Sequence, residues 1–250
     1  MKQEFRDEIE NEFEACIRNT IARLDNSDTR RPFHSALLSE QALFWSRFER
    51  SFSTSFGQRT IERISKIVTL AGGATDARNQ KETYVSLSRG QLAAIDVHVA
   101  LLRDRGLGRP PNWDLDLAAA QYRIAETAEE RRVISDLWWF KNGRNHYVSI
   151  KTVKPNIDQT AEAKRDLLKL KINDPAAEVY FGLYYNPYGE NKAEYAWTPP
   201  MGVFDFRNDP VVLIGRGYWD TLGGEGTYDE VLEIAQEVGA RTRDLIDRLR

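Results

Sequence analysis

The chain has 250 residues, 41% hydrophobic and 11% aromatic, enough for a sizeable core and better suited to one compact domain, 1–250, than to two. A net charge of −3 speaks against a generic nucleic-acid coat, and the single cysteine, Cys16, excludes an intrachain disulfide or a cysteine metal cluster. There is no 18-residue apolar run and the first fifteen residues are too charged for a signal peptide, so a cytoplasmic protein that makes no membrane contact is expected.

Residues 3–25 predict a helix, with Phe5, Ile9, Phe13, Cys16, Thr20, Ile21 and Leu24 recurring at threes and fours. Asn26–Arg31 predicts a loop closed by Pro32. Ser35–Phe48 predicts a second helix, and Ser51–Ser55 a break in the pattern. Arg59–Ala71 predicts a third helix, with Ile61, Ile64, Ile67 and Val68 on its core side and Gly72-Gly73 at its end. Residues 1–50 thus form a helical subregion. Asp76–Thr83 reads as a polar loop and Gln91–Arg105 as a helix, on which Asp96 and His98 are structural or solvated. Gly106–Pro111 is a break, and Trp113–Ala128 contains a short helix that caps one end of a sheet.

The most informative stretch follows. Val133–Phe140 is rich in β-branched and aromatic residues, and Lys141-Asn142-Gly143-Arg144 carries the Asn-Gly pair of a tight hairpin. Tyr147–Val153 returns as a second strand, stopped by Pro155 and Asn156. A helix begins near Asp158, read as its N-cap. Ala177–Tyr185 is a strand, Glu194–Trp197 pairs back as a hairpin, and Pro210–Ile214 is a short buried strand. After the glycine-rich Gly215–Gly226, Tyr228–Leu249 is a helix. Helices, then a mixed sheet, then a helix define an α/β class with one core.

Charge is unevenly spread. From Lys141 to Lys171 there are eight basic residues against three acidic ones, a local +5, whereas Asp174 to Arg250 carries −7. Lys164, Lys169 and Lys171 fit a solvated helix face. Lys151 and Lys154, on strand and loop, suit an anionic ligand gripped at one face.

Asp136 and Lys151 are fifteen residues apart, and a hairpin brings them together. A carboxylate there can hold Mg²⁺ against a phosphodiester, and an ammonium can orient the attacking water or stabilise the phosphorane. Mg²⁺ is usually held through one or two carboxylates, so a second acid is expected nearby. Glu62, beside an apolar stripe, either pairs with Lys66 four residues on or points into a site between helix and sheet. The three histidines lack metal-ligand spacing, and no phosphate-binding loop or Gly-x-Ser-x-Gly element occurs.

Asp136 followed by Ser149-Ile150-Lys151 resembles a variant PD-(D/E)xK nuclease core, with Ser135 in place of the proline and Ser149 in place of the second acid. The longer run Ser149–Asn156 (SIKTVKPN), Phe52–Gly57 with Glu62 upstream, and Leu213–Trp219 downstream resemble type II restriction endonucleases of the TdeIII group, which cut GGNCC-like sites. The likeness spans roughly residues 50–222. It implies a restriction-endonuclease-like core over 51–222, with a mixed central β-sheet flanked by helices and a terminal helix over 227–250. It implies Mg²⁺-dependent hydrolysis of double-stranded DNA at a short near-palindromic site by a homodimer, with a cognate DNA methyltransferase in the same genome. Asp136 is then the metal-binding acid and Lys151 the catalytic lysine. The acid missing at Ser149 is then supplied by Glu162, relocated to the following helix and sharing the metal, or by Glu62, which otherwise adds an outer acid. Lys154, Asn156, Asp158 and Gln159, directly after the catalytic strand, and Arg144 and Asn145, beside the hairpin turn, are expected at DNA. A structure-specific or repair nuclease on the same core, and a non-catalytic DNA-binding protein with a degenerate core, are the rivals.

Overall fold

A computed structural model describes residues 1–24, 30–121 and 127–249. Most of the loop expected at Asn26–Arg31, and residues 122–126 of the stretch expected to hold a short helix, therefore lie outside the described residues. The chain divides into two compact units, 1–67 with 229–250, and 68–228.

The first unit is helical. Helix α1 (Gln3–Leu24) buries Ile9, Phe13, Cys16 and Thr20, the stripe its spacing predicts. Pro32 opens a short α2 (Pro32–Leu37), and Ser39 caps α3 (Glu40–Ser55) by accepting the Ala42 amide at 3.2 Å. The expected break at Ser51–Ser55 does not occur. Thr54 turns its hydroxyl back onto the Arg50 carbonyl at 2.8 Å, so a polar run stays helical. A π-helical turn (Phe56–Thr60) then leads into α4 (Ile61–Ala71). This continuity stacks Phe48 on Phe52 and Phe52 on Phe56, at 6.5 and 5.2 Å, and sets Phe56 against Phe13. Helix α9 (Thr227–Asp247) buries Val231, Ile234, Val238 and Thr242. Arg6 meets Glu230, Glu233 and Glu237, and Arg241 meets Glu10, tying α1 to α9. The apolar faces of both are used within the unit. By contrast α2 leaves Phe33 and Leu37 more than four-fifths exposed.

The second unit is built on a five-stranded sheet, β1 (Asp76–Ser88), β2 (Ala128–Lys141), β3 (Arg144–Lys151), β4 (Glu178–Leu183) and β5 (Val212–Ile214), in that spatial order. The first three strands are antiparallel neighbours, and β3, β4 and β5 run parallel. It is the expected mixed sheet flanked by helices. The β2–β3 turn is the two-residue type that Asn142 and Gly143 predict, both at positive φ (53° and 74°), closed by the Lys141–Arg144 pair. The parallel step from β3 to β4 needs a crossover, and α7 (Ile157–Asn173) provides it.

Two expectations fail here for definite reasons. Asp76–Thr83 is not a loop but the first half of β1. It has almost no apolar side chains, and its partner β2 supplies the pairing that local pattern does not. Glu194–Trp197 does not form a hairpin. Lys192–Glu194 is a 3-10 turn closed by a capping box between Asn191 and Glu194, and Tyr195 and Trp197 run on to contact the loop after β3. The glycine-rich Gly215–Gly226 contains a helix, α8 (Arg216–Gly223), which seats Tyr218 on the sheet over Gly182. A Cβ on Gly182 would stand 2.6 Å from the Tyr218 ring, so only glycine fits.

Helix α5 (Arg89–Arg103) begins with a capping box between Ser88 and Gln91. It packs with α7, and α6 (Trp113–Ala120) lies against these two helices rather than capping the sheet. The main core lies between α5, α6, α7 and one face of the sheet, and includes Val85, Leu87, Ile95, Val99, Leu167, Leu168, Val179 and Phe181.

Candidate active site

Asp136 stands on β2 and is drawn into the hairpin by three donors. Its Oδ2 accepts from the Ile150 amide at 2.7 Å, the Lys151 ammonium at 3.1 Å and the Ser149 hydroxyl at 3.3 Å. The side chains of Asp136 and Lys151 are 19% and 24% exposed, enough for a substrate to reach a pair still partly shielded from solvent. The hairpin register explains the grouping. Leu137 is paired with Val148, and one step further the strands separate, so Asp136 turns onto the last residues of β3. Asp136, Ser149 and Lys151, expected together, are brought together.

Strand β1 adds two residues that the sequence reading passed over. Gln80 Nε2 donates to Asp136 Oδ1 at 3.3 Å, and Asn79 Nδ2 donates to the Asp136 carbonyl at 3.3 Å. Their signal was hidden with β1 itself.

The segment after Lys151 is pinned from below. Tyr195 donates to the Val153 carbonyl at 3.0 Å and Trp197 Nε1 to the Pro155 carbonyl at 2.8 Å. Burial pushes the Tyr195 phenol up, so it stays protonated and keeps donating. Lys154 is exposed, with its ammonium 5.5 Å from the Tyr188 ring and 5.6 Å from the Trp197 ring. The N-cap of α7 is Asn156, not Asp158. Asn156 and Gln159 exchange side chain for backbone in a capping box, and Asp158 pairs with Arg103 at 2.7 Å. The box uses the amide oxygens of Asn156 and Gln159, so their NH₂ groups are not taken by it.

Within the sheet unit, Glu162, Arg144 and Asn145 make their contacts away from Asp136. Glu162 is exposed on α7, one turn from Asp158 and from Arg165, which pair with Arg103 and Asp96 of α5. Glu162 therefore lies on the stripe that runs along α5, and among the described residues no hydrogen bond or ion pair joins it to Asp136. Glu62 is half-buried in the first turn of α4, in the first unit. Arg144 pairs with Glu178 at 3.1 Å. Asn145 accepts from Trp138 Nε1 and donates to Asp174. Arg144 is also five residues along β3 from Ser149, about 17 Å at ~3.3 Å per residue. His146 is stacked on Trp139 at 4.8 Å, and burial pushes its imidazole pKa down, which keeps it neutral.

Lys164, expected on a solvated face, is fully buried. Its ammonium donates to Asp116 Oδ2 at 2.5 Å and to the Val203 carbonyl at 2.7 Å, and lies 4.5 Å from the Phe204 ring centre. Asp116, equally buried, also accepts from His98 at 2.9 Å, from Arg109 at 2.6 Å and from the Asn112 amide at 3.2 Å. This network joins α5, α6 and α7, so His98 is structural as expected.

The donor set suits a hard divalent cation in a limited way. Among the described residues no group of three His, Cys, Asp or Glu side chains converges, which does not match a closed zinc site. One part-exposed carboxylate beside a hydroxyl matches the sparse protein ligation of Mg²⁺, which keeps waters and substrate phosphate oxygens in its shell.

A mixed sheet flanked by helices, with an acid and a lysine paired at the end of its central hairpin, is consistent with a restriction-endonuclease-like core. Residues 1–239 match the family model described as "Type II restriction endonuclease, HinfI", and the chain belongs to that family. It is 32% identical over 227 residues to the type II restriction enzyme HgiEI of Herpetosiphon aurantiacus, covering 88% of this chain and 81% of the relative. It is 30% identical over 226 residues to HgiCII and 31% over 227 residues to HgiBI of the same organism, with the same shares covered. No solved structure matches. Such membership implies a nuclease with DNA as substrate. Among the described residues no helix is long and apolar enough to cross a membrane.

Proposed function

We propose that the protein hydrolyses phosphodiesters in double-stranded DNA at a short near-palindromic, GGNCC-like site, using Mg²⁺ and a variant PD-(D/E)xK centre of Asp136, Ser149 and Lys151. The observation that carries this reading is the convergence of Lys151 Nζ, Ser149 Oγ and the Ile150 amide on one oxygen of Asp136. The site preference follows the resemblance to the TdeIII group.

Hydrolysis adds a water oxygen to phosphorus and breaks one P–O ester bond. When bound, the cation polarises the phosphoryl oxygen and lowers the pKa of a bound water. Asp136 would hold it, with the Ser149 hydroxyl alongside. Three donors fix Oδ2, so the Asp136 carboxylate has one orientation before DNA arrives. Lys151, anchored on that oxygen, carries the positive charge that orients the water and balances the charge gathering on the phosphorane. The Val153–Asn156 segment, pinned by Tyr195 and Trp197, holds Lys154 at the end of the catalytic strand, where it meets phosphate or guanine acceptors. The NH₂ groups of Asn156 and Gln159 are further donors for base edges. Glu162 is a surface residue in this reading, and a cation held by Asp136 would draw the rest of its oxygen ligands from phosphate and water rather than from a second acid.

One centre per chain and a symmetric site call for a two-fold dimer. We assign its contact to the exposed Phe33 and Leu37 of α2, because α1 and α9 bury their apolar faces within their own unit. A cognate methyltransferase in the same genome would protect the host's sites. The test is incubation of a plasmid bearing GGNCC sites with the protein and Mg²⁺. Discrete fragments are expected, and none with EDTA. Cleavage confined to flaps or junctions would instead indicate a structure-specific nuclease. In sedimentation the protein should run as a dimer, and Leu37→Asp should shift it to monomer. A parent that sediments as a monomer on and off DNA would rule the dimer out.

A further inference from the structure

We propose that Gln80 is a positioning residue, which holds Asp136 Oδ1 in place for the divalent cation. The proposal rests on the reading of Asp136 as the acid that takes that cation.

Gln80 has φ +50°, a left-handed conformation that glycine adopts freely and glutamine rarely does. It occurs where the β1–β2 ladder is interrupted. Asn79 is in register with Leu137 and Lys81 with Ser135, and the ladder skips the position of Gln80 and Asp136 between them. The chain also turns over at this point. Arg78 and Lys81 both stand over the Trp138 ring, at 5.8 and 5.3 Å. Residues three apart on a regular strand face opposite sides, so the left-handed turn at Gln80 has brought them to one side while the register on either side of it stays the same.

The left-handed turn sets β1 against Asp136 from the side opposite β3. Gln80 Nε2 donates to Oδ1, and Asn79 Nδ2 donates to the Asp136 carbonyl. The three donors of the hairpin all meet Oδ2. Oδ1 is thus the oxygen left by the hairpin for a cation, and Gln80 sets its direction. If φ alone mattered, glycine would fill the position with less strain; what glutamine adds is its amide. A backbone held in a sparsely populated region beside an acid is the kind of strain that persists at functional sites.

Hydrogen bonds to a metal-holding carboxylate are worth about 10–100-fold in metal affinity or activity. Gln80→Gly removes the amide and relieves the backbone. It should melt at or above the parent temperature. Isothermal titration of the free protein with Mn²⁺ should show affinity lower by about 10–100-fold. The Mg²⁺ concentration for half-maximal duplex cleavage should rise in step. Asp136→Ala, run beside it, should lose Mn²⁺ binding. If Gln80→Gly binds Mn²⁺ and uses Mg²⁺ as the parent does while Asp136→Ala loses both, Gln80 is no positioning residue and the reading of Asp136 stands. If Asp136→Ala binds Mn²⁺ as the parent does, the underlying reading fails and this proposal with it. A Gln80→Gly protein that melts well below the parent would assign Gln80 to structure instead.

Discussion

Lys151→Met should bind duplex DNA and cut it about 10²–10³-fold more slowly than the parent. The ammonium is the group nearest the Asp136 carboxylate that can meet negative charge on a phosphorane. Methionine keeps the stem's volume and removes the charge. The Ile150 amide at 2.7 Å still holds Asp136 Oδ2, so the acid keeps its orientation and the loss reports the ammonium. Single-turnover cleavage of a labelled duplex gives the rate, and anisotropy of the same duplex in Ca²⁺ gives the binding. A loss of binding as large as the loss of rate would assign Lys151 to holding DNA. Glu162→Ala is the companion variant. It should cut at the parent's rate, because Glu162 lies on the α5 side of α7, whereas a dead Glu162→Ala protein would restore it as the second acid.

The second large effect is on stability. Asp116→Ala should destabilise the sheet unit by about 3–5 kcal/mol, because it leaves the Lys164 ammonium buried with the Val203 carbonyl as its remaining hydrogen-bond acceptor. Burial alone would push the Asp116 carboxyl up, but Lys164, His98 and Arg109 outweigh it and hold the pKa below the usual carboxylate range. A depressed folded pKa sets the sign. The stabilisation is fully present above the unfolded value of about 3.9 and is lost as pH falls through the folded one. Removing both charges, as Asp116→Leu with Lys164→Met, should cost less than the sum of the single changes, since neither partner is then stranded. Urea midpoints followed by tryptophan fluorescence check both statements. Equal midpoints for Asp116→Ala and the parent would show that the network carries no stability.

What could be read from the residues alone follows the strength of local signals. The β2–β3 hairpin was legible because Asn142 and Gly143 are the residues that a two-residue turn at positive φ demands, and because Val133–Phe140 could hardly be anything but a strand. The Asp136–Lys151 pairing followed from it. Strand β1 was not legible, because Asp76–Thr83 is polar but for Ala77 and is made a strand by its partner. With it went Gln80, whose role depends on a left-handed backbone turn that no periodicity announces. Other misses had signals that were present but outweighed. Asn156 and Gln159 carry capping-box spacing, yet Asp158 beside them is itself a favoured cap residue and competes for the position. Lys164 sits three and four residues from Ala161, Thr160, Leu167 and Leu168, on the face that packs inward, yet its charge suggested solvent. A buried lysine needs a buried acid, and Asp116 lies 48 residues away on another helix, beyond any local reading.

In the proposed mechanism the Asp136 carboxylate is the acid of the hydrolytic centre. Single-turnover cleavage of a cognate duplex by Asp136→Asn in Mg²⁺ tests this role. Asparagine keeps the shape and one oxygen for the Ile150 amide but removes the charge. We expect cleavage at least about 10²-fold slower, with duplex binding in Ca²⁺ and the melting temperature close to the parent's. An Asp136→Asn protein that cuts at the parent's rate would contradict the account and move the active site elsewhere in the chain.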